Sequence, residues 1–159
     1  MCSLKEDKLM LTDGQIVFRL ILSVALGGLV GFERQLQRRT AGLRTHILVC
    51  LGSCLIMLTS LYVFDIYNGI AELDPTRIAA GVITGIGFLG AGAIIRSGEG
   101  VKGLTTAASI WVVAAVGLAA GCGFYSAAVF TTMLVLVALF LLRSLESRVL
   151  GKKKRERIE

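Results

Sequence analysis

Residues 104–142, LTTAASIWVVAAVGLAAGCGFYSAAVFTTMLVLVALFLL, decide the fold class because they contain no Asp, Glu, Lys or Arg. Three further stretches, 20–32, 47–64 and 78–95, are equally free of charge. A helix rises about 1.5 Å per residue, so about twenty apolar residues cross a bilayer. Backbone polar groups in lipid must be satisfied internally, which a helix achieves. The sequence therefore predicts an all-α polytopic membrane protein.

The predicted bundle has five transmembrane helices and one domain. Its spans are 15–33, 46–65, 76–96, 104–122 and 124–143. A turn is predicted at Gly121–Gly123, and a re-entrant bend is its alternative. We divide the chain into a short extracytoplasmic N-terminus (1–14), the transmembrane domain (15–145) and a basic cytoplasmic tail (146–159).

The distribution of Lys and Arg predicts the orientation. Thirteen of the 17 basic residues lie on one side of the predicted bundle: in the first connection, from Arg96 to Lys102, and from Arg143 onward. Basic residues favour the cytoplasmic side. We therefore expect the N-terminus outside and the C-terminus in the cytoplasm. A cleaved signal peptide is a weaker interpretation of the first span, because acidic residues accompany its flanking lysines.

The net charge of +6 does not indicate nucleic-acid binding, because the charges lie at the joints and the tail. The four cysteines, Cys2, Cys50, Cys54 and Cys122, form no CxxC motif and are interpreted as small packing residues.

Small residues recur along the predicted spans and favour close helix packing. The packing candidates are Gly27, Gly31, Gly81, Gly85, Gly87, Gly90, Gly92, Gly117 and Gly121. They serve either the bundle itself or a homo-oligomer. Gly85–Gly90 also matches the dinucleotide fingerprint G-x-G-x-x-G. That fingerprint requires a strand-to-helix turn, so we do not expect nucleotide binding within a span.

The predicted third span begins at Asp74-Pro75-Thr76-Arg77. Asp is a good N-cap and Pro suits the first helical position. We expect Asp74 to cap this helix and to lie within pairing distance of Arg77. A cation or partner contact is the alternative.

The predicted cytoplasmic ends of the spans share a group of polar residues. This candidate cluster comprises Glu33, Arg34, Arg44, Thr45, His46, Arg96, Thr105 and Thr106. Glu33 could pair with Arg34, Arg44 or Arg96, and either threonine could cap the fourth helix. His46 could titrate near neutral pH. A solvated salt-bridge cluster and a binding site for a partner protein, lipid headgroup or anion are the two interpretations.

The motifs at these positions resemble the MgtC/SapB-type membrane proteins. The matching segments are GGLVGFERQ (27–35), AGLRTH (41–46), DPTRIAA (74–80), GIGFLGAG (85–92) and GLTTAA (103–108), followed by Trp111. The resemblance covers about residues 15–145. Two departures stand out. Gly81 replaces the glutamine usual in the family, and the soluble C-terminal domain of MgtC proper is not expected here.

The resemblance implies a bacterial membrane protein linked to magnesium limitation and, in some members, to virulence. Some members are held to act on the F-type ATP synthase, whereas others are described as magnesium transporters. We expect a non-enzymatic regulator of a membrane partner, with no cofactor, and with magnesium as a sensed ion. Transport of magnesium or another ion is the alternative, although the only carboxylates within the predicted spans, Glu33 and Asp65, are their last residues and none lies at mid-depth. We assign no metal ligands and no catalytic residues.

Overall fold

The computed structural model describes residues 11–67, 74–97 and 100–155, with side chains as far as Leu141 except that of Ser97. It contains five helices: α1 (Asp13–Leu36), α2 (Leu43–Tyr67), α3 (Thr76–Ala93), α4 (Leu104–Cys122) and α5 (Tyr125–Arg155). Between α3 and α4 lies a hairpin of β1 (Ile95–Ser97) and β2 (Gly100–Lys102). The all-α prediction is confirmed. The charges of residues 1–10 and of the basic tail lie outside the described part.

Four of these helices, α1 to α4, are long and apolar enough to cross a membrane. The apolar part of α5 whose side chains are described, Tyr125–Leu141, is shorter. A fifth span ending at residue 143 therefore remains a prediction. The turn between α4 and α5 is tight: Gly123 adopts φ +88° and its amide donates to the end of α4.

The prediction for the end of the third span was wrong by three residues. The helix ends at Ala93, and Ile95 and Arg96 pair with Lys102 and Val101 in the hairpin. Gly103, at φ +93°, then leads into α4. A Cβ there would collide with the carbonyl oxygen of Ala93, so this return of the chain requires glycine.

Helix α1 begins with a capping box. Thr12 Oγ1 accepts from the Gln15 amide at 3.4 Å, and Gln15 Oε1 accepts from the Thr12 amide at 3.2 Å. These bonds satisfy amide groups that have no partner inside the helix. The helix ends at Leu36, and Arg38, at φ +53°, then turns the chain toward α2.

The core lies where α2 packs between α1 and α4. Cys50 and Cys54 of α2 are fully buried there with Val30, Val113 and Ala120. We call this contact of three helices the α2 seam. The described cysteines are free thiols, and two of them serve as small apolar core residues.

Four glycines allow the backbones of the seam to touch. A Cβ on Gly27 would lie 2.7 Å from Cys50 Cβ, and one on Gly31 would lie 2.8 Å from Leu43 Cα. On α4, a Cβ on Gly117 would lie 2.9 Å from Ser53 Cβ, and one on Gly121 would lie 2.7 Å from the Cys54 carbonyl oxygen. Such separations are too short for real carbon atoms, so any side chain here would push the helices apart.

The glycines of α3 do not have the predicted packing role within the chain. Gly90 approaches Ala107 of α4, and a Cβ there would meet only an ordinary contact at 3.8 Å. The others would meet nothing within 4 Å: Gly81, Gly85, Gly87 and Gly92. Helix α3 instead packs through Val82 and Ile86, against Ile110 and Ala114 of α4.

Candidate functional site

The polar residues of the candidate cluster lie where α1 ends and where α2 and α4 begin. We call this end of the bundle the basic end. Gln35 ties two of these elements together, because its Oε1 accepts from the Leu43 amide at 3.3 Å. Gly42 makes this approach possible, since a Cβ there would collide with Gln35 Oε1.

A buried ion pair closes the end of α1. Arg34 Nε donates to Glu33 Oε2 at 2.5 Å, and the two side chains are 2% and 15% exposed. Of the partners proposed for Glu33, the structure selects Arg34. It places neither Arg44 nor Arg96 within 4 Å of that carboxylate. Glu33 Oε1 and Arg34 Nη1 are buried and have no hydrogen-bond partner among the described residues. A buried pair with unused polar atoms costs free energy compared with a fully bonded one.

His46 is completely buried at the start of α2. Its Nδ1 lies 2.9 Å from the Gly42 carbonyl oxygen and its Nε2 lies 3.0 Å from Ser109 Oγ. Ser109 Oγ also lies 2.8 Å from the Thr106 carbonyl oxygen, to which its hydroxyl donates. The imidazole thus joins the α1–α2 connection to the first turns of α4.

This chain of hydrogen bonds differs between the neutral and the protonated form of His46. A carbonyl only accepts, so Nδ1 must carry a proton to bond Gly42. In the neutral ring Nε2 is then an acceptor, and the single Ser109 hydroxyl proton cannot serve both Nε2 and the Thr106 carbonyl. The imidazolium would donate from both nitrogens and complete all three bonds. The network is therefore sensitive to the protonation of His46.

Arg44 and Thr45 are exposed and stand apart from the buried network. Together with Gln35, Thr40 and Gly42 they line a polar cleft of about 410 Å³. Beside it lies a mainly apolar cleft of about 490 Å³ between the α1–α2 connection, α3 and α4. Thr40 and Thr45 line both clefts.

The remaining members of the candidate cluster are not brought together as predicted. Arg96 lies in the hairpin and is exposed, as is Thr105. Neither threonine caps α4: the N-cap is Gly103, and no side chain makes a capping hydrogen bond. Thr106 is buried, and its carbonyl group takes part in the His46 network.

Asp74 and Arg77 lie at the start of α3. Asp74 Oδ1 accepts from the Thr76 amide at 2.8 Å and from Thr76 Oγ1 at 2.6 Å. The helix begins at Thr76, so Pro75 occupies the N-cap position and Asp74 stands one residue earlier than predicted. The two hydrogen bonds from Thr76, with a smaller contribution from Arg77, lower the pKa of Asp74. Arg77 makes no ion pair with Asp74 within 4 Å.

Sequence reasoning missed the role of Arg19, which it counted only as an external basic residue. Arg19 is 8% exposed. Its Nη1 donates to the Gly121 carbonyl oxygen at 2.7 Å and its Nε donates to Tyr125 Oη at 3.0 Å. The guanidinium therefore binds the carboxyl end of α4, where unpaired carbonyl groups favour a cation. Its position directly before the uncharged stretch 20–32, within the predicted first span, was the feature of the sequence that could have indicated a buried role.

No three His, Cys, Asp or Glu side chains within the described part of the chain form a group that could hold a metal ion. The polar chemistry of the described spans is concentrated at their ends. This arrangement of long apolar helices defines a polytopic α-helical membrane protein.

The sequence relationships specify the family. The MgtC family description matches residues 20–148, and the chain belongs to this family. It is 43% identical over 140 residues to a protein of Escherichia coli K12 named "Putative magnesium transporter YhiD", covering 87% of this chain and 65% of that protein. It is 46% identical over 120 residues to "Protein MgtC" of Brucella abortus strain 2308, covering 76% of this chain and 48% of that protein.

An uncharacterized Synechocystis protein is 44% identical over 131 residues, covering 82% of this chain and 53% of that protein. The chain thus spans about half to two thirds of the length of these relatives. No solved structure matches it significantly.

Proposed function

We propose that the protein is a non-enzymatic regulator in a bacterial plasma membrane, linked to magnesium homeostasis and acting on a membrane partner. The names of the MgtC and YhiD relatives support the link to magnesium. The family resemblance makes the F-type ATP synthase one candidate partner. Magnesium would be a sensed ion rather than a resident cofactor.

The observation that carries this proposal is the closure of the α2 seam. Gly27 and Gly31 bring α1 against α2, and Gly117 and Gly121 bring α4 against α2, without room for a Cβ. Mg²⁺ dehydrates reluctantly and usually keeps several waters. A hydrated ion therefore has no path along this seam, whereas the exposed Arg44 and Thr45 at the basic end are accessible to a partner.

The second candidate function is magnesium transport, which the name of the K12 relative favours. Helix α3 supplies a structural argument for it. Its glycines Gly81, Gly85 and Gly87 are exposed, and a Cβ added at any of them would meet no described atom of another helix within 4 Å. We call this surface the α3 face. A second copy facing α3 could enclose a path that one chain lacks.

Reconstitution separates the two functions. We expect purified protein in sealed liposomes to give no Mg²⁺ flux above empty vesicles under an imposed gradient and potential. The same protein should support growth in low magnesium in a strain lacking its own homologue. Flux that depends on the protein and is lost on Gly85→Leu would establish transport through the α3 face instead.

The orientation needs its own measurement. Exposed positions at the two ends form a matched pair: Arg77 at the start of α3, and Arg39 in the α1–α2 connection. In a background with Cys2 and Cys122 replaced by serine, a membrane-impermeant thiol reagent applied outside should label Arg77→Cys and spare Arg39→Cys. The reverse labelling would place the basic end outside.

A further inference from the structure

The two clefts at the basic end are neighbours of opposite character, one polar and one apolar. Thr40 and Thr45 line both of them, so the two clefts lie side by side. An apolar cleft beside a polar one matches a ligand with a hydrocarbon chain and a polar head. This shape is independent of whether the protein regulates or transports.

The apolar cleft faces the surrounding lipid. Phe88 and Leu89 of α3 line it and are 83% and 51% exposed. Its lining also includes Gly92 and Ala93 of α3 and the buried Ile110 of α4. A Cβ added at Gly92 would meet no described atom within 4 Å, so there is room for a ligand beside α3 at this position.

The polar cleft carries the positive charge of Arg44. Arg44 is exposed and forms no ion pair within 4 Å in the described part of the chain. Among the described residues, no Asp or Glu lines either cleft. Arg38 and Arg39 are exposed nearby in the same connection and add to the positive potential. Arginine binds phosphate through its planar set of donors, and Thr40 and Thr45 supply hydroxyl groups beside it.

We propose that this site binds an anionic phospholipid of the surrounding bilayer, with the phosphate at Arg44, Thr40 and Thr45 and an acyl chain along Phe88, Leu89 and Gly92. Basic pockets between transmembrane helices are a known mode of anionic lipid recognition. Charge complementarity selects the head group, and the adjoining apolar cleft selects a lipid over a free anion.

The test uses the full chain in nanodiscs with spin-labelled phosphatidylglycerol or phosphatidylcholine of identical acyl chains. We expect the wild type to prefer phosphatidylglycerol about fivefold at low salt, the size of one basic contact at an anionic surface. The preference should fall as salt is raised. Equal association of the two lipids with the wild type would overturn the proposal.

Matched variants test each half of the site. Arg44→Gln should reduce the preference to near one, whereas Arg39→Gln, outside the cleft lining, should retain most of it. Gly92→Leu should fill the apolar cleft and reduce the binding of both lipids, whereas Gly85→Leu, equally open but outside the cleft, should not. Size-exclusion profiles and helical circular dichroism check that all four variants fold.

Two results contradict the site in different ways. If the paired variants behave alike, the lipid contacts lie elsewhere on the protein. If millimolar inorganic phosphate displaces spin-labelled phosphatidylglycerol completely, the site recognises a free anion and the acyl chain has no part in it. Partial competition, with the lipid still retained, supports the proposal.

Discussion

The α2 seam and the α3 face carry the same kind of motif in opposite surroundings. Gly117 and Gly121 are four residues apart on α4, and Gly81 and Gly85 are four apart on α3. The first pair lies against the backbone of α2, whereas a Cβ added at either glycine of the second pair would meet no described atom of another helix within 4 Å. Small residues at this spacing permit another helix to approach closely, but the spacing does not determine which helix that is. The seam uses them inside the chain, and the α3 face leaves them available.

Substituting one glycine from each region should give the largest difference in stability between the two regions. Gly117→Leu would drive a side chain into the Cys50 carbonyl oxygen and Ser53, neither of which can move without shifting α2. We expect a loss of about 3 kcal/mol in unfolding free energy, or failure to yield monodisperse protein, because overpacking displaces backbone. Unfolding in mixed micelles measures it.

Gly85→Leu is the matched control and should change the stability of the monomer little. If it instead dissociates an oligomer seen by cross-linking in membranes, the α3 face is a subunit contact. If Gly117→Leu proves as mild as Gly85→Leu, the closed seam described above is wrong.

The two regions also differ in how much of their structure could be predicted from the sequence. Uncharged runs predicted the helices because lipid tolerates few charges, and this depends only on composition. The end of α3 was not predictable in the same way, since Ile94 and Ile95 are as apolar as the residues within the helix. What ends α3 is the hairpin pairing of Ile95 with Lys102, and a local pattern does not contain that pairing.

The candidate site was predictable as a location but not as a set of contacts. Motifs at several helix ends indicated one polar cluster, and His46 does join the α1–α2 connection to α4. Its partner Ser109 lies 63 residues away in sequence, and only the packing of α4 on α2 reveals it. Several arginines were candidate partners of the Glu33 carboxylate, and only the three-dimensional structure shows that Arg34 is the one that pairs with it.

His46→Ala tests whether the seam depends on its polar end. The change removes a fully buried ring and leaves the Gly42 carbonyl and the Ser109 hydroxyl without it. We expect a loss of about 2 kcal/mol, since removing a fully buried ring leaves a cavity. The Gly42 carbonyl still accepts from the amide of residue 46, and Ser109 Oγ still donates to the Thr106 carbonyl. Thr45→Ala, at the exposed neighbouring position, is the control and should change stability by less than about 0.5 kcal/mol. Equal stability of the two variants would contradict a structural role for the network.

A double-mutant cycle tests the ion pair at the end of α1. Glu33→Ala and Arg34→Ala should each impair growth in low magnesium, and their effects on stability should be coupled by about 1 kcal/mol. The cycle of Glu33→Ala with Arg44→Ala is the control. It should be additive, because Arg44 forms no ion pair with Glu33 within 4 Å. Stronger coupling to Arg44 than to Arg34 would show that the exposed arginine closes onto Glu33 in the working protein.

The smallest effect is expected at Asp74, which begins the α3 side of the comparison. Its carboxylate accepts two hydrogen bonds from Thr76, and Asn also caps helices well, so Asp74→Asn should be mild and Asp74→Ala more harmful. These hydrogen bonds lower the pKa of Asp74 in the folded chain. Its contribution is therefore complete above the unfolded pKa of about 3.9 and is lost as the pH falls through the lower folded value.

The stability difference between wild type and Asp74→Asn should accordingly stay constant above about pH 4 and change only below it. Thermal unfolding between pH 3 and pH 7 measures this, with Asp13→Asn as the control at the start of α1. A mild effect on stability combined with severe loss of Mg²⁺ uptake in liposomes would mean that Asp74 binds the ion. That result would favour the transport function and give the exposed α3 face a direct role in it.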